Sequence, residues 1–312
     1  MRRWIGVAAL VFGLVGAVAA RGAAPGVQVD VLTTFPAGQN PAAVAATNTG
    51  DVVALAGPNV VSVGPNGQQK QLTTISGGAF GTGIGIAYDV NHVLNVALPG
   101  SFGPPPQGTV LTVTPSGKQV RPVPGSEGMV APDGFGLDAA TGDLYATDIY
   151  GNSLWRIGAD GAARLWTSVA TNPLLVLPDG VKVFDGAVYV SIEAGKILRI
   201  PINPDGSAGT AQVWAQVPGA FFDDLTLDDR TGDVYVSRLD TNELLQITPG
   251  GAVTAIATNA DGLLGAANMS LIHVGQNTVI YLANSSEDFL GTGATSSVGP
   301  AIFKITVPSP SN

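Results

Sequence analysis

The feature of this sequence that most constrains its fold is an internal repeat. Three central stretches share an Asp-Gly or Asp-Asp opening, a Tyr-containing apolar run that follows a Gly-Asp or Asp-Gly turn, and a further apolar run ending in Ile. Their leading aspartates are 46 residues (133 to 179) and 44 residues (179 to 223) apart. Fainter copies lie on both sides, which gives six units: 41–67, 83–117, 132–161, 178–206, 222–251 and 269–306.

Each unit alternates apolar and polar residues over short runs that are separated by turn residues. This pattern predicts the order strand, turn, strand, loop, strand, turn, strand. Units of about 40–50 residues with four strands each are typical of β-propeller blades. The sequence therefore predicts an all-β fold, a six-bladed β-propeller that forms a single domain over residues 21–312.

The two ends of the repeat array predict how the ring closes. The sixth unit lacks an obvious fourth strand, whereas an apolar segment at 27–35 precedes the first unit without belonging to it. An unpaired sheet edge would expose a row of backbone N–H and C=O groups. We therefore predict that the N-terminal segment forms the missing outer strand and closes the propeller.

Composition narrows the class of protein. Glycine (42 residues) and proline (22 residues) are too frequent for long helices in a chain of 312 residues. The formal net charge of −9 argues against nucleic acid as a partner, because phosphate backbones attract basic surfaces. The absence of cysteine excludes disulfides, thiol nucleophiles and Cys metal ligands. No Gly-x-Ser-x-Gly motif occurs, which disfavours a serine-triad hydrolase.

The first twenty residues differ from the rest of the chain. Arg2 and Arg3 precede an apolar stretch at 5–18 that ends in small residues at 17–20. This order predicts a signal peptide at 1–20, cleaved near Ala19 or Ala20. The alternative is an uncleaved anchor, but the stretch falls short of the about 20 residues that span a bilayer. We expect a secreted or periplasmic monomer that does not insert in the membrane after cleavage.

Three aspartates occupy equivalent positions at the opening of the first strand in adjacent units. They are Asp133, Asp179 and Asp223. Because the first strand of a blade lines the central channel, they should meet at one channel mouth. Clustered carboxylates repel one another, and a divalent cation relieves the repulsion. Oxygen donors without Cys favour calcium or magnesium over zinc. Alternatively, each Asp is a turn residue that binds its own backbone amides.

The blade pattern resembles that of the SMP-30/gluconolactonase/LRE-like family, six-bladed propellers that include calcium- or zinc-dependent lactonases and esterases. The resemblance covers residues 27–307 and is strongest over 131–251. It is carried by three motifs: Pro132-Asp133-Gly134, Gly142-Asp143-Leu144-Tyr145 and Leu154-Trp155-Arg156-Ile157. NHL-repeat and strictosidine-synthase-like propellers share much of the pattern and are the alternatives.

The resemblance implies roles for the three aspartates. Asp223 matches a family Asp that is a metal ligand and general base, whereas Asp179 and Asp133 replace family Asn residues that bind the metal and the substrate. The family's first-blade Glu ligand has no counterpart, since the region reads Gln39-Asn40-Pro41-Ala42. We assign Asp133, Asp179 and Asp223 as ligands of a divalent metal, calcium by preference, and Asp223 also as the catalytic base. A register shift of one residue would give the ligand role to Asp224.

Loops between the second and third strands should line the same mouth. In the three central units they carry Asp148, Glu193 and Arg238, which we predict to orient a polar substrate. The alternative is that these are solvated loop charges. The equivalent loops of the second and sixth units, 98–107 and 284–299, are long and act either as lids or as surface decoration. His92 and His273 have no acidic partner visible in the sequence.

Two functions remain open. The first is a secreted metal-dependent hydrolase that acts on a small-molecule lactone or ester, and the second is a non-catalytic secreted propeller that acts as a binding or scaffold module. The aspartates of three blades favour the hydrolase, whereas the missing first-blade Glu favours the binding module. Since propellers host many functions, the fold does not decide between them. We predict the hydrolase.

Overall fold

The computed structural model describes residues 22–308, except 48, 76, 78–82, 101–107 and 115. The predicted signal peptide at 1–20 therefore lies outside the described residues. Over the described part, the chain forms six antiparallel sheets of four strands each, and this confirms the predicted all-β, six-bladed propeller. The helices found there are two 3-10 turns, Ser126–Gly128 and Asn259–Asp261. No helix among the described residues is long and apolar enough to cross a bilayer.

The first strand in the chain belongs to the last blade, and the other strands follow in blade order. That first strand is β1 (Gln28–Thr34). Blade one contains β2 (Pro41–Ala46), β3 (Val52–Ala56), β4 (Asn59–Val63) and β5 (Gln69–Thr74). Blade two contains β6 (Gly85–Tyr88), β7 (Leu94–Leu98), β8 (Thr109–Val113) and β9 (Val120–Pro122). Blade three contains β10 (Pro132–Leu137), β11 (Leu144–Asp148), β12 (Ser153–Ile157) and β13 (Ala163–Ser168).

The remaining three blades follow the same order. Blade four contains β14 (Pro178–Phe184), β15 (Ala187–Ile192), β16 (Lys196–Pro201) and β17 (Gln212–Gln216). Blade five contains β18 (Phe222–Leu227), β19 (Val234–Arg238), β20 (Glu243–Ile247) and β21 (Val253–Ala257). Blade six contains β22 (Ala266–Val274), β23 (Asn277–Asn284) and β24 (Ala301–Val307).

The N-terminal strand completes blade six, as the sequence predicts. Strand β1 pairs antiparallel with β24, from Gln28 opposite Thr306 to Thr34 opposite Ala301. The order in this sheet is β22, β23, β24, β1, so the blade consists of three C-terminal strands and one N-terminal strand. The pairing joins the two ends of the described chain and leaves no gap between blade six and blade one.

The apolar core lies between the blades. The buried residues form six clusters, and each cluster draws its members from two neighbouring blades. The second strands β3, β7, β11 and β15 are buried along their whole length, because a neighbouring blade covers each face. The outer strands are largely exposed. Burial thus decreases from the second strand to the outer strand of a blade. This explains why the second strand of each unit is a nearly continuous apolar run in the sequence.

The inner strands of blades three, four and five carry a β-bulge at the aspartate. The pairing register shifts between Pro132 and Phe135, and likewise in β14 and β18. A Cβ at Gly134 would lie 2.6 Å from the backbone oxygen of Asp179, and a Cβ at Gly180 would lie 2.2 Å from Asp224 Oδ1. The glycine that follows Asp133 and Asp179 is thus required by the close approach of the next blade. The aspartates lie within bulged strands and not in turns.

Candidate active site

The bulges bring the three predicted aspartates to the same end of neighbouring inner strands. Burial raises the pKa of Asp133 well above its usual range, and the charges of Asp223, Asp224 and Glu193 raise that pKa further. Burial likewise raises the pKa of Asp179, and the charges of Asp223 and Asp133 raise that pKa further. The charges of these carboxyl groups therefore affect one another's pKa values. We refer to Asp133, Asp179, Asp223 and Glu193 as the acid cluster.

Asp179 and Asp223 interact directly within the acid cluster. Their carboxyl groups are placed to hydrogen-bond to each other, so one proton can be shared between them. Burial raises the pKa of Asp223 to about 6, whereas its hydrogen bond with Asp179 opposes the rise. Asp223 keeps some solvent exposure, while Asp179 is buried. The pair can accept or release a proton near neutral pH.

Buried hydroxyl groups support the bulges on which the aspartates lie. The amide of Gly134 donates to Thr147 Oγ1 at 2.8 Å, and the amide of Gly180 donates to Ser191 Oγ at 2.8 Å. Ser237 donates to the backbone oxygen of Asp224 at 3.2 Å. These hydroxyls come from the second strand of each blade and satisfy backbone groups that the bulge frees. Sequence reasoning missed them, although the recurring Tyr-x-Thr or Tyr-x-Ser pattern was a usable signal.

The Asp224 side chain links blade five to blade six, and Asp224 is not a member of the acid cluster. Its Oδ2 accepts a hydrogen bond from the amide of Met269 in blade six at 3.0 Å. The Lys182 ammonium lies 3.8 Å from Asp224 Oδ1 and donates to the backbone oxygens of Phe135 and Val181. Burial raises the pKa of Asp224, and the charge of Lys182 opposes the rise. The register of β18 thus leaves Asp223 as the residue that faces Asp179.

The three charged residues predicted in loops occupy different environments, and two of them, Asp148 and Arg238, are the last residues of β11 and β19. Glu193 adjoins the acid cluster, since burial and the charge of Asp223 raise its pKa to about 7. Arg238 is paired with Asp240 at 2.7 Å and Glu243 at 3.4 Å. Asp148 is only 1% exposed, and its oxygens accept from the amides of Val130, Ala131 and Gly151. Of the three, Glu193 is therefore the one that the structure places beside the aspartates.

Blades six and one contribute alanines where blades three to five contribute aspartates. Ala267 and Ala42 lie in the bulges of β22 and β2, and both are partly exposed. Asn40, in the region of the missing first-blade Glu, donates to Glu287 of the loop at 285–300. Ser296 anchors that loop by donating to the backbone oxygen of Gly262 at 2.7 Å. At the equivalent positions of the inner strands, blades three to five thus carry aspartates, and blades six and one carry alanines. The loop segment 101–107 lies outside the described residues.

The donor chemistry of the acid cluster fits a hard divalent cation. Asp179 Oδ1 is buried and has no hydrogen-bond partner, although buried carboxylate oxygens are normally satisfied. Carboxylate oxygens are the ligands that calcium prefers. The ligand oxygens of Asp133, Asp179 and Asp223 do not all lie within 4.8 Å of one another. The fit therefore rests on the type and burial of the donors and not on a closed coordination shell.

A second group of titratable side chains lies at the far end of β18. His273 Nε2 is 2.8 Å from Asp229 Oδ1 and 3.7 Å from Asp228 Oδ1, so the expectation that His273 has no acidic partner is wrong. His273 and Asp229 are 44 positions apart in the sequence and meet because the inner strands of blades five and six are neighbours. Asp228 accepts from the amide of Arg230 at 2.9 Å, a bond that Asp138 repeats in blade three. We interpret Asp228 as a turn residue.

A cavity of about 380 Å³ opens near this second group. Asp228, Arg230 and Gln276 contribute to its lining, together with Val27 just before β1 and Pro308 just after β24. Asp228 follows Asp223 by five positions along the extended inner strand, about 16 Å at about 3.3 Å per residue. The cavity therefore lies between blades five and six at the face opposite the acid cluster, and we do not assign it to the candidate active site.

Comparison with solved structures agrees with the predicted resemblance at the level of fold. A gluconolactonase from Xanthomonas campestris aligns over 92% of each chain with a TM-score of 0.68 and 16% identity. A luciferin-regenerating enzyme aligns over 90% of this chain and 96% of its own with a TM-score of 0.65 and 11% identity. Virginiamycin B lyase from Staphylococcus aureus aligns over 90% and 99%, with a TM-score of 0.58 and 13% identity. No family model and no curated protein matches the sequence.

Proposed function

We propose that the protein is a metal-dependent hydrolase of a small lactone or ester. The observation that carries the proposal is the convergence of Asp133, Asp179, Asp223 and Glu193 at one channel mouth, with raised pKa values for all four. Raised carboxyl pKa values in a cleft are typical of acid–base sites. The similarity in fold to a gluconolactonase supports the same class of reaction.

In this proposal Asp223 is the general base. A carboxylate whose pKa is about 6 is ionised above that pH and is basic enough to take a proton from water. Asp179 orients it through their hydrogen bond. The water oxygen adds to the substrate carbonyl carbon while its proton passes to Asp223. Asp133, Asp179 and Asp223 would hold a divalent cation, calcium by our preference, which supplies Lewis-acid polarisation of the carbonyl when it is bound.

Glu193 is the proposed general acid. Because burial raises its pKa to about 7, a substantial fraction of Glu193 is protonated at neutral pH. When the carbon–oxygen bond of the lactone or ester breaks, the leaving oxygen takes the proton of Glu193. In this proposal Asp223 therefore takes the role of the base and Glu193 the role of the acid.

One observation favours a second function, a non-catalytic binding module. The blade-one position that would complete the ligand set carries Asn40, which is hydrogen-bonded to Glu287, and the adjacent bulge carries Ala42. A cluster with carboxylates from three blades alone can hold a cation or a cationic ligand without activating water. The two functions differ in whether substrate turns over.

The experiment is a hydrolysis assay on phenyl esters and on unsubstituted and substituted lactones. The reaction is monitored through the protons it releases, with and without added calcium. We expect calcium-dependent turnover, and we expect Asp223→Asn to lower kcat by about 100-fold or more. The exposed Asp185 in the turn after β14 provides a control, Asp185→Asn, with the same change in net charge. Calcium binding by calorimetry without any turnover would establish the binding module. If calcium, magnesium, manganese and zinc all fail to bind, the metal proposal is wrong.

We also propose that the protein is exported through residues 1–20 and is monomeric. The support is the sequence of that segment, a basic start followed by an apolar stretch and small residues. Fractionation of cells that express the full chain, with N-terminal sequencing of the product, tests this. A product that begins after Ala19 or Ala20 outside the cytoplasm is expected, and an intact N-terminus in the membrane fraction would indicate an anchor.

A further inference from the structure

Exposed apolar side chains surround part of the mouth that holds the acid cluster. Tyr150 is 45% exposed and Val176 is 47% exposed, and both lie in loops at this end of the propeller. Val169 and Leu174 on the same loops are also exposed. We refer to Tyr150, Val169, Leu174 and Val176 as the apolar rim. Large exposed hydrophobic side chains that lie together on a soluble protein often mark a binding surface.

The two loops that carry the apolar rim are held together by hydrogen bonds. Asn152 accepts from the amide of Val169 through its backbone oxygen at 2.9 Å and from the amide of Leu177 through Oδ1 at 2.8 Å. Leu175, between two exposed rim residues, is fully buried and anchors its loop in the core. Leu177 has a φ of 52°, an uncommon value for a residue with a branched side chain. The rim is therefore a fixed surface.

The apolar rim is continuous with the catalytic carboxylates. The backbone oxygen of Leu177, at the end of the rim loop, accepts from the amide of Glu193 at 3.3 Å. The backbone oxygen of Glu193 in turn accepts from the amide of Phe222, which precedes Asp223, at 3.2 Å. Tyr150 lies two residues after Asp148, which pairs with Pro132, the residue next to Asp133 in β10. A ligand at Asp223 thus adjoins the rim.

The described part of the inner mouth offers no free cation that could bind an anionic substrate. The acid cluster contributes four carboxyl groups from three blades. The two cations nearest to it have partners of their own: Arg238 pairs with Asp240, and Lys182 donates to backbone oxygens beside Asp224. Lys196 begins β16, the third strand of blade four. This strand lies one position farther from the channel than β15, which ends just before Glu193. At the equivalent positions of the inner strands, blades one and six carry Ala42 and Ala267.

We propose that the substrate is an uncharged lactone or ester that carries an alkyl or aryl substituent, and that this substituent packs against the apolar rim. The proposal rests on the proposed hydrolase function and names its substrate class. The reacting carbonyl lies at Asp223 and Glu193, and the apolar substituent extends over Tyr150 and Val176. Polyhydroxylated and acidic lactones lack the apolar group, and their polar groups would lose hydration against the rim.

The test is a chain-length series on the mature protein with calcium. A set of γ-lactones with no substituent, or with butyl, hexyl or octyl substituents, is compared with a polyhydroxylated lactone by kcat/KM. We expect kcat/KM to rise about 2–4-fold per methylene over the first several carbons, where fourfold corresponds to about 0.8 kcal/mol for a fully buried methylene. The polyhydroxylated lactone should be the poorest substrate.

Matched variants separate the apolar rim from general hydrophobicity. Val176→Ser and Tyr150→Ser should flatten the dependence on chain length, so that the octyl lactone loses about tenfold relative to the unsubstituted one. The control is Leu165→Ser, because Leu165 is 56% exposed on the outer strand β13, away from the mouth. This control should leave the chain-length dependence unchanged. Melting temperatures of all variants show whether they fold.

A binding series distinguishes failure of this inference from failure of the hydrolase. Alkyl-substituted γ-lactams resist hydrolysis, and their affinities are measured by calorimetry for the wild type and the same variants. Lactone turnover that does not change with chain length overturns the substrate class and leaves the hydrolase standing. Absence of turnover, with lactam affinity that rises with chain length and falls in Val176→Ser, supports the rim and overturns the hydrolase. If neither turnover nor chain-length-dependent binding is found, both proposals are wrong.

Discussion

Replacing Asp223 by Asn should stabilise the metal-free protein at high pH. Burial raises the pKa of Asp223 from 3.8 to about 6 in the folded state. A carboxyl group with a higher pKa when folded binds its proton more tightly in the folded state than in the unfolded state. Its contribution to stability is complete below pH 3.8 and is lost as the pH rises through about 6. An amide in its place has no proton to lose.

The magnitude follows from the size of that change in pKa. A rise of about two units corresponds to about 3 kcal/mol at about 1.36 kcal/mol per unit, and the partial solvent exposure of Asp223 reduces this to about 2 kcal/mol. Asp223→Asn should therefore match the wild type at pH 4 and exceed its free energy of unfolding by about 2 kcal/mol at pH 8. For a chain of this size the gain corresponds to about 4–6 °C in Tm.

The assay is urea unfolding followed by tryptophan fluorescence at pH 4, 6 and 8, with a chelator present throughout. The control is Asp185→Asn, which removes the same charge from an exposed turn whose φ of 47° both Asp and Asn tolerate. The control should follow the wild type at every pH. Equal stabilisation of Asp223→Asn at pH 4 and pH 8, or none at pH 8, would refute the reasoning from carboxylate burial.

Three further predictions concern stability. Deleting residues 22–34, which include β1, should expose the edge of β24 and produce aggregation or a Tm at least 10 °C lower; a melt within about a degree of the wild type would contradict closure. Gly180→Ala should cost about 2–3 kcal/mol in urea unfolding, whereas Gly250→Ala, with its nearest neighbour at 3.7 Å, should stay within about 0.5 kcal/mol. Asp148→Ala should cost about 3 kcal/mol by leaving buried amides without an acceptor, as a chemical melt would show; an unchanged stability with a raised KM would instead indicate substrate contact.

The sequence predicts the fold well because the repeat encodes it. The alternation of short apolar runs reflects burial of each blade between two neighbours, and the unpaired apolar segment before the first unit identifies the closing strand. The glycine after Asp133 and Asp179 reads as a turn residue in the sequence, yet it lies in a strand. Its cause, the approach of the next blade to 2–3 Å of a Cβ, is a tertiary constraint that local sequence does not show.

The candidate site was predictable only in part. The equivalent positions of Asp133, Asp179 and Asp223 follow from the repeat, because equivalent residues of neighbouring blades meet at the channel. The different environments of the three charged loop residues do not follow from the repeat. Asp148 folds back onto buried amides, whereas Glu193 stays beside Asp223. The hydrogen bonds of Asp148 to the segment before β10 decide this difference, and equivalent sequence positions do not encode them.

The pairing of β1 with β24 also sets an order of events during synthesis. Gln28 leaves the ribosome long before Thr306, its partner across the blade. At about 5–20 residues per second, the interval is roughly 15–55 s. During this time the earlier blades can form. Blade six cannot form, because β22, β23 and β24 have not yet been made and β1 therefore has no strand to pair with. The longest-range pairing in the described fold is thus the last one available to a newly made chain. A chain that stops short of β24 leaves β1 without its partner and the ring open, a form that proteases and chaperones can recognise.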